Sequence, residues 1–161
     1  MLRKKILGYL EKNSRIDIKE LAIILGEEES VVAEEIQKME EEKVICGYHT
    51  MIDWDKTDTD YVTALIEVRV TPQRGQGFDS IAERIYKYPE VRAVYLISGG
   101  YDLMVILEGK SLKAVSQFVS DKLSTMDPVL STATHFILKK YKDHGTIFDK
   151  KTKDERMLVT L

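Results

Sequence analysis

Cysteine is nearly absent. Cys46 is the only one in 161 residues, so no intrachain disulfide can form, and a small buried apolar side chain is its expected role rather than a reactive thiol. Long apolar runs are missing too: nothing approaches the roughly 20 residues that cross a bilayer, so no membrane contact is expected. Behind Met1-Leu2-Arg3-Lys4-Lys5 there is no apolar stretch with a small-residue cleavage site, so no signal peptide is expected. A reducing cytoplasm fits these absences. Positive charge is in short supply as well. The net charge is −3 and the pI about 5.7, whereas a free-standing nucleic-acid binder is usually basic. The whole deficit lies in residues 1–47, with eight Lys/Arg against eleven Asp/Glu; residues 48–161 carry sixteen of each. Finally, the chain lacks a Ser-His-Asp set, a phosphate loop, credibly placed paired carboxylates and metal-ligand spacing. No catalytic residue, cofactor or metal is expected, and the chain does not read as an enzyme.

What is present falls into two patterns. Residues 2–12 place Leu2, Ile6, Leu7 and Leu10 on one helical face. Asp17 opens a second helix with Glu20 three residues on, a capping-box spacing, and Gly26 closes it. A third helix runs from about Ser30 to Lys43 with Val32, Ile36 and Met39 inward. Residues 44–52 read as extended chain. Three short helices, a tight turn before the third and a strand pair make a winged helix-turn-helix over 1–52, its third helix free to enter a groove.

Residues 53–60 are polar and read as a linker. From Tyr61 to Thr71 the chain alternates, with Val62, Ala64, Ile66, Val68 and Val70 on one face. A helix from Phe78 to Ile85 stops at Pro89, and a strand covers 91–97. Ser98-Gly99-Gly100 makes a turn into a strand over 101–107. A helix from Leu112 to Met126 precedes Pro128, and a last strand covers 129–141. The order βαββαβ over 61–142 predicts a ferredoxin-like domain, so the fold class is α+β. Its sheet has one open face. Leu65, Tyr95 or Phe136 there would be an apolar liability, which predicts a homodimer through the sheets. Residues 143–161 are a charged tail of undetermined role.

Several segments in this order carry a resemblance: Asn13-Ser14-Arg15, Glu20-Leu21-Ala22, Met39 through Tyr48, Pro89-Glu90-Val91 and Ser98-Gly99-Gly100-Tyr101-Asp102. Over about residues 2–142 the chain resembles the leucine-responsive regulatory protein/AsnC family, the feast/famine transcription regulators. The resemblance implies DNA binding by the N-terminal domain. It also implies a small-molecule effector, usually an amino acid, bound at contacts between dimers, and assembly into higher oligomers such as octamers.

The third helix departs from the family pattern. Relatives carry Ser at its N-cap and Arg on its exposed face; here Glu28, Glu34 and Glu35 stand there, and Ser30 to Lys43 holds five Glu against two Lys. Carboxylates repel phosphates, although Glu accepts a hydrogen bond from cytosine N4. The usual glycine before the wing is Lys43, a residue less suited to a left-handed backbone. DNA binding is therefore expected to be weak or oligomer-dependent. Arg3, Lys4, Arg15, Lys19, Ser30, Glu34, Lys38 and Lys43 are the candidate contacts, the cations being equally readable as solvated surface charge.

For the effector, the N–H groups of Gly99 and Gly100 suit a carboxylate, or form a plain hairpin turn. Beside Tyr101, Asp102 suits an ammonium or a cap. Ser131, Thr132 and Thr134 offer hydroxyls at a shared edge, and Arg74 a carboxylate partner. Two rival functions stay open. One is a co-regulator that hetero-oligomerises with a relative and binds DNA weakly or not at all. The other is a decarboxylase on the same frame, which needs clustered His and Arg; of His49, His135 and His144, only His135 falls on a sheet strand.

Overall fold

The computed structural model describes residues 1–71 and 77–148 and divides into two units, Met1–Ile52 and Asp53–Leu161. The first packs α1 (Leu2–Leu10), α2 (Ile18–Leu25) and α3 (Glu29–Glu41) around buried Ile6, Leu21, Ala22, Val32, Ile36 and Met39. The Asp17 carboxylate accepts from the Lys19 and Glu20 N–H groups at 2.9 and 3.3 Å, which fixes the start of α2. Gly26 ends the helix at φ +71, with Glu27 N–H on the Ala22 carbonyl and Gly26 N–H on Ile23. The same double hydrogen bond ends α3, but its left-handed residue is Lys43, at φ +59. There Val44 N–H reaches the Met39 carbonyl at 2.8 Å and Lys43 N–H reaches Glu40 at 3.1 Å.

The expected strand pair of the wing is not formed: residues 44–52 make no ladder among the described residues. Val44 and Ile45 both spend their N–H groups on the Met39 carbonyl. The few residues that remain are too short for two strands and a turn, and an isolated hairpin is marginal at best. Cys46 consequently has no sheet to lie beneath. It is exposed rather than buried, its thiol donating to the Lys43 carbonyl at 3.1 Å.

In the second unit, residues 53–60 contain a single 3₁₀ turn, Trp54–Lys56, and Trp54 stacks on Tyr61 at 5.0 Å between centroids. Then follow β1 (Val62–Val70), α4 (Phe78–Tyr86), β2 (Val91–Leu96), β3 (Leu103–Gly109), α5 (Leu112–Phe118) and β4 (Val129–Phe136). The antiparallel sheet has the order β2-β3-β1-β4, the ferredoxin-like arrangement. Alternation in β1 buries Ala64, Ile66, Val68 and Val70 against Ile81 and Ile85 of α4 and Val115 and Phe118 of α5. Phe136 lies opposite Ala64, so it faces the helices and not the open side as expected. The other face carries Leu65, Met104 and Ile106, partly exposed, and Tyr95, 49% exposed. Across it His135 Nε2 stands 3.3 Å from Glu67 Oε1.

The helix expected to run to Met126 changes pitch. Beyond α5 a π-helical turn, Val119–Leu123, is closed by Ser124 N–H on the Val119 carbonyl at 2.8 Å. Lys122 in this turn reaches Glu90, at the head of β2, at 3.0 Å and lies over the Tyr88 and Phe118 rings. Residues 142–147 form a small hairpin, β5 (Lys142–Asp143) and β6 (Thr146–Ile147), whose turn residues His144 and Gly145 both have positive φ. The rest of the expected tail lies outside the described residues.

Candidate functional site

Two regions gather the candidate residues. On α3, helical periodicity sets Ser30, Glu34, Gln37, Lys38 and Glu41 opposite the buried Val32, Ile36 and Met39, and all five are exposed. Ser30, Glu34 and Lys38 thus share one outer face, with Lys43 just past the helix end. The carboxylates of α3 are largely engaged within the unit. Lys38 lies 3.9 Å from Glu34, Gln37 donates to Glu41 at 2.9 Å, and the Tyr48 hydroxyl donates to Glu40 at 2.7 Å. Partial burial, then this bond to Glu40, pushes the Tyr48 phenol up to about 12.

Arg3 is turned to α3. Its Nε donates to Glu35, and its Nη1 and Nη2 donate to the two oxygens of Glu42 at 2.6 and 3.0 Å. These bonds, to Glu42 first and then Glu35, raise the guanidinium pKa above its ordinary value, and the bond from Arg3 holds the Glu42 carboxyl below its own. Arg3's partners lie 32 and 39 residues away, so nothing local in the sequence announced them, whereas the Gln37–Glu41 spacing was readable. Lys4 lines an open groove with Leu7, Gly8, Cys46, Tyr48 and His49. Arg15 and Lys19 are exposed near the start of α2, the Arg15 N–H bonded to Asn13 Oδ1 at 3.1 Å.

The second region lies at the β2–β3 connection. Ser98-Gly99-Gly100 is not a tight turn. Ile97 N–H meets the Asp102 carbonyl at 2.8 Å, so the loop spans Ser98 to Tyr101, and neither glycine is left-handed. A side chain at Gly99 would meet only Ile97 Cγ2 at 3.5 Å, and one at Gly100 nothing within 4 Å. Among the described residues, neither local strain nor packing requires glycine there. Asp102 Oδ2 accepts from the Val70 N–H at 2.9 Å, and its own N–H donates to Val68 at 3.1 Å. The carboxylate thereby covers the end of β1, where pairing with β4 shifts register between Arg69 and Val70. The Tyr101 hydroxyl points at Met104 Sδ, 3.9 Å away.

The three hydroxyls of β4 do not converge. Thr132 and Thr134 lie opposite Val68 and Ile66, on the helix side, and Thr132 Oγ1 is 3.4 Å from Ser124 Oγ. Ser131 lies opposite Arg69, on the other face. Arg74 falls outside the described residues. Among the described residues no group of His, Cys, Asp and Glu could hold a metal ion, and no helix is long and apolar enough to cross a membrane.

Comparison with known proteins adds three findings. Residues 63–147 match the Lrp/AsnC ligand binding domain. The chain is 52% identical over 157 residues to the uncharacterized HTH-type transcriptional regulator YugG of Bacillus subtilis, covering 97% of this chain and 95% of that protein. It is 29% identical to the proline dehydrogenase transcriptional activator of Rhodobacter capsulatus, covering 84% and 88%. Among solved structures, a transcriptional regulator from Neisseria meningitidis in complex with L-methionine matches with a TM-score of 0.71 at 22% identity, over 88% of this chain and 91% of that one. A feast or famine regulatory protein from M. tuberculosis, complexed with L-methionine, matches with a TM-score of 0.72 at 20% identity, over 88% and 93%.

Proposed function

This chain belongs to the Lrp/AsnC family of transcription regulators, and from that premise we propose how its parts divide the work. The family acts by ligand-responsive regulation of transcription and not by catalysis, which removes the decarboxylase reading. Residues 1–52 contact DNA in the cytoplasm, with Ser30, Glu34 and Lys38 on the outer face of α3 toward the major groove, Glu34 accepting from cytosine N4. Residues 53–60 connect this unit to an effector-binding and assembly domain over 61–142. Two such domains join through the open sheet face, and dimers assemble further, up to octamers.

The effector is an amino acid. The observation that carries this reading is the match of residues 63–147 to the ligand-binding domain. The Ser98–Tyr101 loop supports it: its two glycines have no side chain of their own, which leaves room for a carboxylate to approach the backbone there. L-Methionine is the first compound to try, because two solved relatives hold it. A thermal-shift screen of the twenty amino acids at millimolar concentration, paired with light scattering, tests the reading. At least one should raise the melting temperature, since a ligand at about 100 times its Kd stabilises by about 2.7 kcal/mol. A flat response to all twenty overturns it.

The co-regulator reading draws support from the glutamates on the outer face of α3. Gel shift at low salt separates the two: retardation of duplex DNA by the pure chain favours the regulator, and its complete absence favours the co-regulator.

A further inference from the structure

Arg3 was a natural candidate for a phosphate contact, yet its guanidinium is turned to carboxylates of its own unit. All of the contacts described for it go to α3: Nε to Glu35, and the Nη pair to both oxygens of Glu42. Three of the five N–H donors of the planar fork go to carboxylates, in a geometry that lysine cannot copy. Glu35 and Glu42 lie on one flank of α3, beside the buried stripe and next to α1, not on the outer face that carries Ser30, Glu34 and Lys38. Without a cation there, that flank presents two bare carboxylates to any polyanion that approaches the helix. The pair sits at the surface, with Arg3 42% and Glu35 22% exposed, so its worth to folding is modest and its effect on the local field is the larger matter.

We propose that Arg3 is a positioning residue for DNA binding: it clamps Glu35 and Glu42 and offsets half of their negative charge, which lets an acidic recognition helix approach phosphate without Arg3 touching DNA itself. This rests on the reading of α3 as the DNA-contacting helix. Elsewhere on α3, Lys38 lies near Glu34, while Gln37 and Tyr48 donate neutral hydrogen bonds to Glu41 and Glu40 that leave their charge in place, so Arg3 supplies the bonded counter-charge described for this helix.

The test compares the full chain, Arg3→Met, and the triple variant Arg3→Met/Glu35→Gln/Glu42→Gln. Each is titrated onto a labelled random-sequence duplex of about 40 base pairs at several salt concentrations, with circular dichroism melts as a check of folding. Arg3→Met should bind about tenfold more weakly. The triple variant should bind at least as tightly as wild type, with the same slope of log K against log salt. A direct phosphate contact predicts the reverse: no rescue, and a slope shallower by about 0.9 for each Arg3 lost from the DNA. Either that result or full binding by Arg3→Met overturns the proposal while leaving DNA binding intact. A wild-type chain that retards no duplex at low salt overturns the DNA reading itself and the proposal with it.

Discussion

At Lys43 the backbone sits at φ +59 to complete the hydrogen-bonded end of α3. An L-residue in that region costs roughly 1–2 kcal/mol, of which glycine's extra freedom when unfolded cancels a part. Lys43→Gly should therefore raise stability by about 0.5–1 kcal/mol in a thermal melt; a loss of stability would mean that the lysine side chain does something the cap does not explain. Position 43 was visible as unusual in the sequence, because a lysine stands where a helix end wants glycine. Asp102 shows the opposite case. The sequence offered two partners for it, an ammonium or a turn, and the structure supplies a third, the Val70 N–H, reached only once β1 and the β2–β3 loop are folded together. Asp102→Ala leaves that N–H without its acceptor beside the buried Val70 and should cost about 1–3 kcal/mol, whereas Asp102→Asn keeps an oxygen in place and should cost under about 1 kcal/mol. Equal losses in urea melts of the two variants would contradict the capping role.

Among the elements, the helices and β1 were legible because their information is local: a period of 3.6 or of 2, a capping carboxylate at Asp17, a glycine at 26. The wing was not, because whether residues 44–52 pair depends on where Val44 and Ile45 send their N–H groups, and α3 takes both. The pleat of β4 carried a clue that a simple list of hydroxyls conceals. Adjacent strand residues point to opposite faces, so Ser131 cannot join Thr132 and Thr134. The π-helical turn was invisible because it is set by one backbone hydrogen bond, Ser124 N–H on the Val119 carbonyl, and by no spacing of residue types; Lys122 within it reaches Glu90 at the head of β2. That contact makes a pH prediction. A hydrogen bond from its own backbone and then Lys122 hold the Glu90 carboxyl below its ordinary value. A lowered folded-state pKa adds stability above the unfolded value of about 4.3, and that stability fades as pH falls through the lower folded value. Glu90→Gln should hence melt below wild type at pH 7, and the gap should close as the pH drops below about 4. A gap that is constant with pH would assign the loss to packing rather than charge.

At the scale of the whole molecule, the proposed dimer rests on the open sheet face. Ile106 stands on the central strand β3, paired with Leu65 of β1 and Ala93 of β2, and Tyr95 and Met104 lie alongside. In a twofold interface each residue counts twice, so one substitution removes two apolar contacts and installs two charges that face each other or their neighbours. Loss of two buried side chains at about 1.5–3 kcal/mol each weakens association by roughly 10²–10⁴. Ile106→Lys should accordingly appear as a monomer by light scattering at concentrations where wild type is at least a dimer. Its far-ultraviolet circular dichroism should be unchanged, because on the opposite face the core of Ile66, Val68 and Val105 stays closed. The effector response then discriminates between two sites for the ligand. A pocket shared between copies loses its amino-acid-dependent melting shift along with the dimer, while a pocket held by one copy keeps it. Monomeric Ile106→Lys that still responds to an amino acid would place the effector within a single chain, and wild type that is already monomeric would remove the interface altogether.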